Sequence, residues 1–106
     1  MNEDVVISGI TLRFETEYES FPSFMKESAD PIYKGILSVC QNLEKVDKVA
    51  LIVQANIDGT EFDSTLEYTK DNISILKDVI NPFYEGIEEY ETCEKIMKLY
   101  STLTNN

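Results

Sequence analysis

The sequence predicts a single α+β domain over residues 1–106, a two-layer sandwich with helices on one face of a three-stranded sheet. Three observations predict this fold. The 106-residue length suits one hydrophobic core. An apolar fraction of 42% is enough to fill that core. Alternating and helical apolar patterns follow one another in the order β-α-β-β-α, and such a succession packs as helices against a sheet.

The first predicted element is a long strand from Val5 to Glu19. Apolar side chains occupy one of its faces and charged side chains the other, as the two-residue period of a strand requires. We expect Gly9 to mark a bend or bulge in so long a strand. Phe21-Pro22 ends the alternation, and Ser23 to Ser28 are expected to form one short helical turn.

Two helical regions are predicted. Asp30-Pro31 indicates the start of the first, because an N-cap carboxylate followed by proline is a common helix beginning. Its apolar stripe continues to about Val46. Asn72 is expected to cap the second region, which Pro82 either kinks or restarts. The apolar stripe predicted after that proline comprises Phe83, Ile87, Tyr90, Cys93, Met97 and Tyr100.

A β-hairpin gives the clearest local pattern. Two alternating runs, Lys48–Ile57 and Thr60–Thr69, flank Asp58-Gly59, the dipeptide favoured in a two-residue type I′ turn. A slip of one residue would mix polar and apolar side chains on both faces, so the pattern and the turn agree on one register. That register pairs Ile57 with Thr60, Val49 with Tyr68, Leu51 with Leu66, Ala55 with Phe62, Asn56 with Glu61, Gln54 with Asp63 and Ala50 with Glu67.

The charge of the chain excludes several classes of function. Twenty Asp and Glu against nine Lys and Arg give a formal net charge of −11, and there is no histidine. Phosphate backbones and anionic membranes repel such a chain, so we expect no direct nucleic-acid partner and no membrane partner. The lack of histidine removes the commonest metal ligand and the usual general acid–base residue near neutral pH.

No catalytic residue, cofactor-binding residue or metal ligand is predicted, and we expect the protein not to be an enzyme. The segment around Asp58-Gly59 resembles a calcium loop only superficially. Aligning Gly59 with the invariant glycine of that loop places Gln54 and Thr65 where charged ligands belong. A serine or cysteine nucleophile would lack a histidine base, and no glycine-rich phosphate loop is present.

Cys40 and Cys93 both fall in stretches that read as helical. We expect two buried free thiols rather than a disulfide, in a cytoplasmic protein. No run of about 18 apolar residues predicts a membrane span, and the acidic N-terminus lacks the basic start of a secretory signal.

Acidic residues without an obvious cation are the candidate partner-binding residues. If the first and third strands are neighbours, the strand acids form one outer face of the sheet; the alternative is a face that only keeps the domain soluble. We expect other helix acids to be neutralised by pairs four residues apart, Glu91 with Lys95 and Glu94 with Lys98. The candidate residues are Glu15, Glu17, Glu19, Glu61, Asp63, Glu67, Glu85, Glu88 and Glu89.

These features favour a non-enzymatic inhibitor that docks on a basic, nucleic-acid-handling partner protein, with carboxylates in place of phosphates. The basic residues are all Lys except Arg13, Ile and Asn are plentiful, and Ala is scarce. This bias suggests a low-GC bacterium or phage, where small acidic proteins include nucleic-acid mimics and anti-defence inhibitors. One alternative is an immunity or antitoxin protein that neutralises a basic toxin. Another is a self-associating assembly component, a homodimer through Val5, Ile7 and Ile52. A third is a small-molecule or cation site, or an enzyme, with a pocket of Tyr and carboxylates.

Overall fold

The computed structural model describes the backbone of residues 7–104 and the side chains of residues 9–104. It confirms an α+β fold with a three-stranded sheet and the predicted order of strands and helices. Its elements are β1 (Ile7–Tyr18), α1 (Phe21–Cys40), a 3₁₀ turn (Gln41–Glu44), β2 (Lys48–Ile57), β3 (Thr60–Tyr68), a π-helical segment (Leu76–Ile80), α2 (Asn81–Gly86) and α3 (Tyr90–Thr104).

The sheet has the strand order β1-β2-β3. β2 runs parallel to β1, and α1 makes the crossover between them, because parallel neighbours need a long connection. β3 runs antiparallel to β2. β2 therefore lies between the two strands that carry the predicted sheet acids.

The predicted hairpin is confirmed, including every predicted residue pair from Val49–Tyr68 to Ile57–Thr60. Asp58 and Gly59 have φ values of 52° and 74°, and a type I′ turn requires positive φ at both positions. The Asp58 N–H also donates to the Tyr18 carbonyl at 2.7 Å. That hydrogen bond holds the hairpin turn against the end of β1.

β1 is irregular at a different place from the one predicted. Gly9 pairs regularly with Ala50, whereas the register shifts between Arg13 and Glu17. Three β1 residues pass a single β2 residue there. Aromatic packing holds both sides of this bulge, because Phe14 and Tyr18 make edge contacts with Phe24 at centroid distances of 5.3 and 5.0 Å. Glu19 falls just after the strand.

The first helix begins ten residues earlier than Asp30-Pro31 indicated, with Ser20 rather than Asp30 as its N-cap. The Ser20 side chain accepts a hydrogen bond from the Ser23 N–H at 3.2 Å, so the predicted short turn is the beginning of α1. Pro31 lies inside the helix. An interior proline costs about 3 kcal/mol. Burial of the apolar face on both sides of it outweighs that cost, since Phe24 and Ile36 are almost fully buried.

α1 packs closely on β1 and β2. A Cβ added to Gly35 would lie 3.0 Å from the Leu12 side chain and 3.2 Å from that of Leu51, so glycine allows the helix to approach the sheet. Four inward side chains of the central strand are buried. They are Val49, Leu51, Val53 and Ala55.

The second helical region differs from the prediction at its start. The Asn72 side chain does not cap the helix; its Oδ1 accepts the Thr69 N–H at 2.6 Å and so closes the turn that precedes the helix. The chain then passes from the π-helical segment directly into α2, with Pro82 in the first turn of α2. A π-turn changes the hydrogen-bond register, which accommodates a proline without ending the helix.

The true break lies between α2 and α3, at residues 87–89, where Glu88 has φ 62°. The break changes the phase of the helix, so the stripe extrapolated from Phe83 is wrong for Ile87, Tyr90 and Met97, which are 51%, 64% and 37% exposed. α3 instead packs against the 3₁₀ turn, the π-helical segment and α2. Its buried residues are Cys93, Ile96, Leu99 and Leu103.

A tyrosine joins α2 to α1. The hydroxyl of Tyr84, a fully buried residue, donates to Asp30 Oδ1 at 2.7 Å and lies 3.2 Å from the Asp30 carbonyl. Burial and this hydrogen bond raise the pKa of Tyr84. Asp30 is therefore a tertiary contact rather than the helix cap that the sequence indicated.

We expect Tyr84→Phe to lower the free energy of unfolding by about 1–2 kcal/mol, because it removes the hydrogen bond to a partly buried carboxylate. Tyr33→Phe is the matched control, since Tyr33 packs on Phe83 at 5.1 Å but its hydroxyl has no hydrogen-bond partner within residues 7–104. The control should change stability by less than about 0.5 kcal/mol. Urea unfolding of both variants measures the difference; equal losses would contradict the assigned hydrogen bond.

A pair of glycine variants tests the hairpin turn. Gly59 has φ 74° with open space around its Cβ position, so Gly59→Ala should cost about 1 kcal/mol through backbone strain alone. Gly86 also faces open space and lies outside the left-handed region, so Gly86→Ala should be neutral or stabilise by up to about 1 kcal/mol. The midpoint temperature of thermal unfolding should fall in Gly59→Ala and stay unchanged or rise in Gly86→Ala. A neutral Gly59→Ala variant would contradict the turn geometry.

Candidate functional site

The predicted sheet acids do not form one continuous face. β2 separates β1 from β3, and neighbouring strands lie about 4.8 Å apart, so the two acidic rows are about 10 Å apart. The outward side chains between them include the amides of Gln54 and Asn56, which lie opposite Asp63 and Glu61 on β3. A continuous acidic face required β1 and β3 to be neighbours in the sheet. Because β2 lies between them, the prediction of one continuous face is wrong.

Arg13 on β1 partly neutralises both rows. Its Nε lies 3.2 Å from Glu15 Oε2, and its Nη1 lies 3.8 Å from Glu61 Oε2 across the central strand. The same Nη1 donates to Gln54 Oε1 at 3.3 Å. All these groups are exposed, so each ion pair contributes at most about 1 kcal/mol. The pairs still reduce the charge that Glu15 and Glu61 offer to a partner.

Two further sheet acids have partners within the chain. Lys48 Nζ lies 3.4 Å from Glu67 Oε1, and Gln54 Nε2 donates to Asp63 Oδ2 at 3.4 Å. Glu17 and Glu19 have no such partner in the described part of the chain. With Tyr18 they line an open groove of about 340 Å³ that also includes Asp58. The sequence accounts for Asp58 by turn chemistry alone. Its proximity to Glu17 and Glu19 follows from the hydrogen bond between the turn and β1.

The remaining candidates, Glu85, Glu88 and Glu89, come together where α2 ends and α3 begins. We call residues 85–91 the α2–α3 corner. All seven residues are exposed, and Glu91 adds a fourth carboxylate to the three that were predicted. None of the four carboxylates forms an ion pair within residues 7–104. Within residues 7–104, the corner therefore brings together four glutamates without an ion pair over only seven residues of chain.

Hydrogen bonds hold the backbone of the corner. The N–H groups of Glu88 and Glu89 donate to the carbonyls of Glu85 and Tyr84 at 3.1 and 2.9 Å. Thr92 Oγ1 donates to Glu89 Oε1 at 3.2 Å at the start of α3. Glu88 occupies the left-handed region, which costs a non-glycine residue about 1–2 kcal/mol. Strained backbone of this kind is concentrated at functional sites.

Large apolar side chains accompany the acids of the corner. Ile87 is 51% exposed and Tyr90 is 64% exposed. An open groove of about 360 Å³ is lined by Tyr90 and by its neighbours Glu88, Glu89, Glu91, Thr92 and Lys95. Exposed apolar groups rimmed by charge are typical of surfaces that bind other proteins. The sequence placed Ile87 and Tyr90 in the core, so it could not reveal this combination.

The predicted neutralisation of α3 is wrong. In the described part of the chain, Glu91–Lys95 and Glu94–Lys98 do not approach within 4.0 Å. The one helical pair found there joins Asp30 and Lys34 at 3.5 Å. The acids at the start of α3 consequently remain available to a partner.

The alternative homodimer surface is only partly described. Val5 and the side chain of Ile7 lie outside the described residues. Ile52 is half-buried on the outer face, between Thr11 and Thr65, and the neighbouring Ala50 is buried. Self-association through this patch stays a prediction.

Both cysteines are buried free thiols, as predicted. Desolvation raises the pKa of Cys40 to about 12. Burial also raises the pKa of Cys93, with smaller contributions from the Glu85 and Glu89 carboxylates. Such thiols stay protonated near neutral pH and are poor nucleophiles. Among the described residues, no group of three or more Cys, Asp or Glu side chains is placed to hold a metal ion.

Comparison with known proteins supplies no relative. No family model matches the sequence, and no curated protein or solved structure is significantly similar to it. Within residues 7–104, no helix combines the length and apolar character needed to cross a membrane. Function is therefore inferred from the geometry and charge of the surface.

We expect both thiols to react slowly with a disulfide reagent such as DTNB in the folded protein at pH 8, and quickly after unfolding in guanidinium. Raised pKa values and burial both suppress the thiolate in the folded state. The Cys40→Ala and Cys93→Ala variants assign the two rates, and Cys40, which is fully buried, should react more slowly. Immediate reaction of either thiol in the folded protein would contradict the assigned burial.

Proposed function

We propose that this protein is a non-enzymatic inhibitor that docks on a basic, nucleic-acid-handling partner protein. The single observation that carries the proposal is the α2–α3 corner, where four glutamates without an ion pair within residues 7–104 accompany exposed Ile87 and Tyr90. Carboxylates attract a basic surface over long range, and apolar contacts at the centre of an interface supply affinity.

The net charge of −11 favours a partner whose own function depends on attracting anions. A nucleic-acid-binding groove is such a surface, because its Lys and Arg side chains are arranged to neutralise phosphates. A protein that fills this groove with carboxylates excludes the nucleic acid. In its specific form, the proposed role is that of a nucleic-acid mimic in phage anti-defence.

Tyr90 and Ile87 distinguish this mode of binding from general electrostatic attraction. Tyrosine is enriched among the residues that dominate binding energy at interfaces. A complex held by both charge and apolar contact should weaken with salt but persist at moderate salt, whereas attraction between charges alone is screened within about 10 Å at 0.1 M salt. The groove at the hairpin end, with Glu17, Glu19 and Asp58, provides a second unpaired acidic surface for the same partner.

Charge reversal at the corner tests the proposal. The variant Glu85→Lys/Glu88→Lys/Glu89→Lys should weaken partner binding at least about tenfold, because three favourable charges become repulsive. The matched control reverses three exposed acids away from the corner, Glu44, Asp47 and Asp71, so both variants have the same net charge. The partner is first captured from a host lysate at low salt, identified by mass spectrometry and purified for affinity measurements.

The proposal also requires that DNA or RNA bound by the purified partner compete with this protein. Equal weakening in the two charge-reversal variants would show that only net charge matters and would contradict a role for the corner. A captured partner that holds its nucleic acid and this protein simultaneously would contradict the inhibitory mechanism. Binding that does not change with salt would contradict the proposed charge attraction.

A further inference from the structure

The strand β3 leaves one edge of the sheet open. Within the described residues it pairs only with β2, in an unbroken register of nine residues. The opposite edge strand, β1, is interrupted by the bulge between Arg13 and Glu17. Bulges disfavour strand addition, whereas a long regular edge is a template for it. β3 is thus the edge on which another strand can pair.

The hairpin geometry determines which backbone groups of β3 are free. A two-residue turn closes on a hydrogen-bonded pair, here Ile57 and Thr60, and hydrogen-bonded pairs alternate along an antiparallel ladder. The intervening residues of β3 direct their N–H and C=O groups away from β2. They are Glu61, Asp63, Thr65 and Glu67.

An apolar groove lies beneath this edge. α1 packs on β1 and β2, and it leaves the inward side chains Phe62 and Leu66 of β3 only half-buried. Together with Phe21 and Met25 of α1, these side chains line a groove of about 170 Å³. Phe21 is 47% exposed, and its ring centroid lies 5.4 Å from that of Phe62. The inward-facing side chains of an added strand would extend over this groove.

The outward face of β3 has the opposite character, because it carries the exposed carboxylates of Glu61, Asp63 and Glu67. Their contacts to Arg13, Gln54 and Lys48 are surface contacts of 3.4–3.8 Å, which an incoming cation can replace at little cost. A strand added to β3 therefore meets apolar side chains on one face and carboxylates on the other. A second copy of β3 fits poorly, since antiparallel pairing about Ser64 would place Glu61 opposite Glu67. Like charges directly opposite each other destabilise a strand pair.

We propose that β3 binds an extended segment of the partner by strand addition, and that this segment alternates apolar residues with Lys or Arg. The apolar side chains occupy the groove beside Phe62 and Leu66, and the cations contact the carboxylates of β3. Main-chain hydrogen bonds supply affinity and the alternating side chains supply specificity, as in other complexes formed by β-strand addition. This inference depends on the proposed function in one respect, namely that the partner is positively charged.

A synthetic peptide tests this inference without the natural partner. The probe is a fluorescent, end-blocked decapeptide that alternates lysine with valine or leucine, and its matched control has glutamate in place of lysine. We expect fluorescence anisotropy to show binding of the lysine peptide, with the glutamate peptide at least about tenfold weaker. In NMR hydrogen exchange, the bound lysine peptide should protect the amides of Glu61, Asp63, Thr65 and Glu67.

Two substitutions at one position provide the second test. Thr65→Pro removes an outward N–H and blocks an incoming strand, and edge strands tolerate proline where the N–H faces solvent. Thr65→Val keeps the N–H and the preference for extended backbone. Binding of the lysine peptide should fall at least about tenfold in the proline variant and stay unchanged in the valine variant. If the proline variant does not fold, the test is the hydrogen-exchange protection of the β3 amides in the wild-type protein.

The inference would be overturned if the lysine peptide did not bind, or if the glutamate peptide bound equally well. It would also be overturned if a folded Thr65→Pro variant bound the lysine peptide fully, or if the bound peptide protected amides outside β3. Light scattering that shows a dimer lost in Thr65→Pro would assign the edge to a second copy instead. The α2–α3 corner variant should bind the peptide normally. If the peptide fails while corner-dependent partner binding persists, the β3 inference is wrong and the proposed function stands.

Discussion

The close packing of α1 against the central strand β2 organises this fold. Gly35 allows the helix to approach Leu51, and the buried side chains of Phe24, Ile32 and Ile36 lie along the contact. Each such side chain contributes about 1.5–3 kcal/mol when it is buried. Their sum exceeds the cost of about 3 kcal/mol for the interior Pro31. The helix therefore continues through a proline that would end it in isolation.

This packing also determines which surfaces remain free. Because α1 covers β1 and β2, the inward side chains Phe62 and Leu66 of β3 are left half-buried beside an open groove. Because β2 is central, its amides Gln54 and Asn56 separate the acids of β1 from those of β3. The same arrangement that forms the core thus divides the negative charge and leaves one sheet edge exposed.

The negative charge has a more definite distribution than a net value of −11 suggests. Arg13, Lys48 and Gln54 satisfy part of the sheet face. The unpaired acids gather at the hairpin end and at the α2–α3 corner, where Tyr90 supplies an apolar contact. In the proposed complex with a basic partner, this distribution would orient the partner in a way that a uniform acidic surface would not.

Features that depend on neighbouring residues could be predicted from the amino-acid sequence. Alternation and the Asp58-Gly59 turn determined the whole register of the hairpin, and composition determined the charge and the lack of histidine. Features that depend on contacts between distant residues could not be predicted from the sequence. Glu17 and Glu61 are separated because β2 lies in the centre of the sheet. α1 continues past Pro31 because its apolar face is buried, and Tyr90 is exposed because the helix breaks at Glu88. Local patterns specify an element and its faces, but only packing between elements specifies what covers each face.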